Sequence, residues 1–233
     1  MDEEAQAAAA RLVRRLKGGY TVTIAESCTG GLLASTLTDI AGASAWFNQA
    51  WVTYSYEAKI QELNVSRELL EKKGAVSAEV AIQMAQGALA RANADIAISI
   101  TGIAGPGNDG TKKKIGYVYV GIASKTWAIA EATQIGGNRQ ENKEGFVHFA
   151  LLTAIKHWDQ AMEKAESNRL KDLEEAETKA RENALAEIER NKRAAAAAQE
   201  TAWQSQTWSG ENKNTNDQGM EIDVHWDDES QED

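Results

Sequence analysis

The segment YTVTIAESCTGGLLASTL, residues 20–37, changes its hydrophobic period part-way along. Its opening residues are aromatic and β-branched, as in a strand held inside a sheet, whereas Leu32, Leu33 and Leu37 recur at helical spacing. Between the two lies AESCTGG, residues 25–31, which ends in paired glycines. The segment therefore predicts strand, tight turn, helix. At such a turn glycine allows close approach of backbone to a ligand, and the first N–H groups of the helix point outward as anion binders. Ser27 and Thr29 occupy the turn. On this heptapeptide alone an N-cap is the leading reading of Ser27 and a nucleophile the second.

Working outward, the same alternation repeats. Residues 7–17 (AAAARLVRRLK) predict a short helix ended by Gly18 and Gly19. AWVTY at 50–54 predicts a second strand, and residues 56–71 supply helical turns. Ser77 caps a long amphipathic helix, with Glu79 in its first turn, that runs to Asn93. The apolar run IAISI at 96–100 predicts a strand buried on both faces, ending in the glycine-rich TGIAGPG at 101–107. Residues 115–123 and 127–134 predict a hairpin across Ser124, Lys125 and Thr126, and a last core helix starts near Gln140. This order gives an α/β fold, a three-layer α/β/α sandwich around a mixed, partly parallel sheet.

After Trp158 the pattern changes. Residues 164–200 are dominated by Ala, Glu, Lys and Arg, with Glu175/Lys179, Glu177/Arg181 and Glu189/Arg193 at i,i+4 in the favourable order. Their apolar anchors are too sparse for a coiled-coil seam and predict a solvated helix. From Thr201 the chain is polar and finally acidic, which predicts disorder. We expect a catalytic-type domain over 1–163, a charged helical extension over 164–200 and a disordered acidic tail over 201–233.

Charge divides the same way. The chain of 233 residues has a net charge of −10, but residues 1–163 carry 16 Lys/Arg against 17 Asp/Glu, and residues 164–233 carry 9 against 18. Neither part offers the basic surface that nucleic acid requires. No run of about eighteen apolar residues predicts a membrane span. The acidic start after Met1 is neither a secretory signal nor a basic transit peptide. The single cysteine, Cys28, excludes an internal disulfide, and no Cys/His cluster has zinc-site spacing; a reducing, cytoplasmic setting fits.

The chemistry-bearing segments are AESCTGG, TGIAGPG and VTYSYEAK at 52–59, the last with Tyr54 at a strand end and Lys59 near a helix start. By spacing alone, Lys59 reads as a surface lysine and Tyr54 as a core aromatic with its hydroxyl outside. Taken together with AESCTGGLLASTLTDIAGASAWF, GAVS at 74–77 and SITGIAGPG at 99–107, these segments resemble the CinA C-terminal domain family in order and spacing over residues 7–158. The enzymatic members of that family are nicotinamide-nucleotide amidases, and the chain is similar to their stand-alone form.

The resemblance implies hydrolysis of the carboxamide of nicotinamide mononucleotide (NMN) to nicotinic acid mononucleotide and ammonia, with no metal or cofactor, by a homodimer. By motif position it implies Ser27 as nucleophile, Lys59 as its base and Tyr54 as the accompanying tyrosine, whose hydroxyl we expect to position the other two. Thr29 is then free to cap the helix, and amides of Thr29, Gly30 and Gly31 offer an oxyanion site. Thr101 and Gly102 fall in the family's substrate loop, and Arg139 matches a phosphate-binding arginine. A serine hydroxyl needs an adjacent base, which lysine supplies when burial or charge lowers its pKa. His148, His157 and His225 read as structural or incidental.

Two positions depart from the family. Residues 108–116 (NDGTKKKIG) replace a proline-containing turn and bring Lys112, Lys113 and Lys114 near the loop. Lys143 stands where a second arginine is usual. The alternative is a non-catalytic interaction protein that uses the charged helix and acidic tail to bind a partner. An amidase for another small carboxamide is a third reading.

Overall fold

The computed structural model describes residues 3–107 and 113–206. Helix α1 (Glu3–Leu16) begins four residues earlier than its apolar pattern suggested, because Glu3 and Glu4 complement the positive end of the helix dipole. It precedes β1 (Val22–Glu26), α2 (Leu32–Thr38), a 3-10 turn (Ala43–Ala45) and β2 (Phe47–Val52). Then come α3 (Tyr56–Leu63), α4 (Arg67–Lys73), α5 (Ala78–Ala92) and β3 (Ile96–Gly102), the hairpin β4 (Tyr117–Ser124) and β5 (Ala128–Gln134), and finally α6 (Arg139–Gln206).

The five strands lie in the order β2-β1-β3-β4-β5. β1 pairs in parallel with both β2 and β3, whereas β3–β4 and β4–β5 are antiparallel, so the mixed sheet is as expected. One face buries α1, α2 and the start of α6, with Leu12, Leu16, Leu33, Leu37, Phe146 and Leu151 in one core. The other buries α3, α4 and α5 through Leu63, Leu70, Val80 and Met84. Helix α5 comes so close to β4 that a Cβ on Gly121 would stand 2.3 Å from the Ala81 carbonyl oxygen.

This topology positions the site. β1 is the middle of the three parallel strands, and the chain leaves it for β2 on one side and reaches β3 on the other. The carboxyl ends of the three parallel strands therefore share one edge, where open α/β sheets bind ligands. Backbone bonds fix the level: Ser27 N–H donates to Ile100 O at 3.0 Å and Thr53 N–H to Glu26 O at 2.8 Å.

The chain divides into two compact units, Met1–Asn168 and Arg169–Asp233. Within the second, every described side chain through Thr201 is exposed. Residues 201–206, expected to be disordered, are helical; the rest of the expected acidic tail, 207–233, lies outside the described residues. Among the described residues no helix is long and apolar enough to cross a membrane.

Candidate active site

The turn after β1 is built by two consecutive left-handed glycines, Gly30 (φ 65°) and Gly31 (φ 97°), a conformation that a Cβ would strain. Neither Ser27 nor Thr29 caps the helix they lead into. The N-cap is Gly31, without a side-chain bond, and the wholly buried Thr29 Oγ1 has no partner. The capping group is Glu26, also wholly buried. Its carboxylate accepts from the amides of Gly31 (3.0 Å), Leu33 (3.2 Å) and Ala34 (2.9 Å). Three amides and the helix dipole compensate a charge that burial would otherwise make costly. Sequence reasoning missed this, since a carboxylate at a strand end looks solvated; its only signal was a charge inside a run that must otherwise be buried.

With the cap supplied by Glu26, Ser27 is free to face elsewhere. Lys59 is not a surface lysine: its exposure is 0%. Residues Tyr56 and Glu57 start α3 under the cap of Ser55, and this carries Lys59 back beneath the β1 turn. Its Nζ lies 3.1 Å from Ser27 Oγ, 2.8 Å from Thr53 O and 3.4 Å from Tyr54 O. Burial disfavours the ammonium and lowers the Lys59 pKa from 10.5 to about 8. A neutral amine has two N–H donors and one lone pair. As the ammonium, Nζ donates to all three of these oxygens; on losing a proton it keeps two donors for the carbonyls and gains a lone pair for the serine hydroxyl.

Cys28 is the obvious rival nucleophile, but desolvation raises its thiol pKa to about 12. At neutral pH it stays protonated and unreactive.

Above Ser27 opens a cleft of about 250 Å³, lined among others by Cys28, Tyr54, Val76, Thr101, Gly102, Gly105 and Arg139. Thr101 Oγ1 is committed to Ala75 O at 2.9 Å, tying the β3 end to the loop before α5. Arg139, the first residue of α6, donates to Gly105 O and, at 3.0 Å, to Tyr54 Oη. The tyrosine thus meets Lys59 through its carbonyl and Arg139 through its hydroxyl. Asn142, one turn along α6 and wholly buried, donates to Ala104 O (3.1 Å) and Gly137 O (3.0 Å), fastening the TGIAGPG loop to the helix.

Thr29, Gly30 and Gly31 are not among the residues lining the cleft. The amides of Gly30 and Gly31 are engaged by Ser27 O at 3.1 Å and by Glu26. Lys113 donates to Val76 O and lies over the Tyr119 ring, whereas Lys112 falls outside the described residues. His157 bonds Glu131 at 2.6 Å and His148 lies 3.5 Å from Glu4, so neither belongs to this cleft.

A family model, the CinA C-terminal domain, matches residues 5–157. The chain belongs to that family. It is 46% identical over 141 residues to a protein of Enterobacter agglomerans named nicotinamide-nucleotide amidohydrolase PncC, covering 60% of this chain and 86% of that one. The protein of the same name from Escherichia coli K12 is 44% identical over 146 residues, covering 62% and 87%. A putative competence-damage inducible protein of Caldicellulosiruptor saccharolyticus is 48% identical over 136 residues, covering 58% of this chain but only 33% of that longer one. The chain thus spans most of the first two relatives and about a third of the last. Among solved structures, the competence/damage inducible protein CihA of Agrobacterium tumefaciens aligns with a TM-score of 0.64 at 38% identity, covering 67% of this chain and 98% of that one.

Proposed function

We propose that this protein is a nicotinamide-nucleotide amidase that hydrolyses the carboxamide of NMN through Ser27 and Lys59. The observation that carries the reading is a fully buried lysine amine, with its pKa brought to about 8, placed 3.1 Å from a serine hydroxyl at the floor of the cleft. The family relatives named nicotinamide-nucleotide amidohydrolases supply the substrate class.

In this mechanism Lys59 takes the Ser27 proton as Oγ adds to the carboxamide carbon, and the carbonyl electrons move to oxygen. The Cys28 amide is our oxyanion donor: Cys28 lines the cleft, and the residue after a nucleophile at such an elbow characteristically supplies this donor. The Lys59 ammonium then returns its proton to the amide nitrogen, the C–N bond breaks and ammonia leaves. Water attacks the resulting ester with Lys59 again as base, releasing nicotinic acid mononucleotide and restoring Ser27. Arg139 at the rim binds the phosphate, and Tyr54 holds its guanidinium at 3.0 Å. The mechanism assigns no step to a metal or cofactor.

Mass spectrometry after incubation with NMN, nicotinamide riboside and nicotinamide tests the reading. Nicotinic acid mononucleotide from NMN, with little product from the other two, is the expected result. Folded protein that turns over none of the three would overturn it.

A further inference from the structure

The second unit carries a pattern that amide hydrolysis leaves unused. On α6, Leu170, Leu173, Leu185 and Ile188 are 50%, 49%, 57% and 51% exposed. With Glu177 and Arg181 they lie along one stripe, within about 60° of its centre at 100° per residue. The steps along it, from 170 to 173, 177, 181, 185 and 188, are three, four, four, four and three residues. That order is the same read from either end. Five steps over eighteen residues average 3.6, the period of a straight helix, so the stripe demands no supercoil.

A helix has a direction, and a stripe that reads alike both ways suits a partner running the other way under two-fold symmetry. Turning a second copy end for end about the level of Lys179 sets Leu170 beside Ile188 of the second copy, Leu173 beside its Leu185 and Glu177 beside its Arg181. These three pairs are complementary, and Glu174 and Ala184, which fall in the same arc, are set beside each other as a charge against a small side chain. A parallel, in-register pair would instead set Glu177 against Glu177 and Arg181 against Arg181, which is disfavoured. Residues 169–193 hold seven Lys/Arg and seven Asp/Glu, so two such helices meet without net repulsion.

We propose that residues 169–193 form an antiparallel, two-fold helix contact with a second copy of this chain. Four half-exposed aliphatic side chains per copy make a small interface, and the association is of the weak, concentration-dependent kind.

The test uses full-length protein labelled at introduced cysteines, Lys164→Cys for the donor dye and Ala194→Cys for the acceptor, since Cys28 is buried. An antiparallel contact puts these positions level, whereas a parallel one separates them by about 45 Å, thirty residues at 1.5 Å rise. Energy transfer between the two populations should rise with concentration. Glu177→Arg and Arg181→Glu should each weaken association at least about tenfold, because like charges then face each other. An equimolar mixture of the two variants should recover it, since every Arg then meets a Glu; a change in helix propensity cannot produce that recovery. A mixture that associates no better than either variant alone would overturn the proposal. So would stronger transfer when both dyes are at residue 164.

Discussion

Lys59 lies against Ser27 at the floor of the cleft and Arg139 lines its rim, yet one is wholly enclosed beneath the β1 turn and the other stands on the exposed first turn of α6. On the floor, Glu26, Ser27 and Lys59 are buried, and backbone groups flank the Lys59–Ser27 contact on both sides: three amides on Glu26, two carbonyls on Lys59. At the rim, Tyr54 is 59% exposed and its hydroxyl meets the guanidinium of Arg139 at the surface. In the proposed mechanism this difference divides the work. Burial lowers the proton affinity of an amine, so the group that must be neutral is inside, while a guanidinium stays charged at any depth and can stand in water.

The largest expected effect tests the floor as one unit. Ser27→Ala should abolish nearly all turnover, and Lys59→Ala should cost about 10²–10⁴-fold, the range for loss of a general base. Their double variant should be scarcely worse than the more damaging single one, because the two act on one step. Ammonia release by folded Ser27→Ala at near wild-type rate would return Ser27 to a passive role.

A pH series sharpens the same contrast. Turnover should fall as pH drops below about 8, where Lys59 takes up a proton. For stability, the folded pKa lies below the unfolded value of 10.5, so the unfolded chain binds more protons between about 8 and 10.5 and stability rises with pH there. The penalty, about 3 kcal/mol, is fully present below the folded pKa. Any stability advantage of Lys59→Met over the wild type should therefore be greatest at neutral pH and shrink towards pH 10 in denaturant titrations. A constant difference would mean that the amine is charged at all these pH values.

Glu26→Gln should leave part of the α2 amide set unsatisfied. We expect a loss of about 2 kcal/mol in thermal or urea unfolding, together with a lower kcat and little change in KM, as the β1 turn loosens. An unchanged kcat with lowered stability would confine Glu26 to the scaffold.

Rim changes should be smallest. Arg139→Ala should raise KM for NMN about fivefold, since an exposed charge contact contributes about 1 kcal/mol. Tyr54→Phe should raise it only a few-fold, by freeing the guanidinium. A Tyr54→Phe variant that loses kcat instead would place the tyrosine hydroxyl at the reaction centre.

The order of strands and helices was legible in residues 20–37 and in the alternation that follows, because hydrophobic period is a local property. The turn glycines and the Ser77 cap were legible for the same reason, whereas Ser27, Lys59, Tyr54 and Arg139 were singled out only by the family resemblance of the segments that carry them. What the sequence could not determine is who meets whom. Lys59 looked like a surface residue until α3 folded beneath β1, and Thr29 looked like a cap until Glu26, whose three amide contacts lie up to eight residues away, took that role. The Tyr54 hydroxyl turned to a residue 85 positions distant. Burial, desolvation and partner choice come from elements remote in sequence, and these turn a hydroxyl, an amine and a guanidinium into three distinct chemical environments.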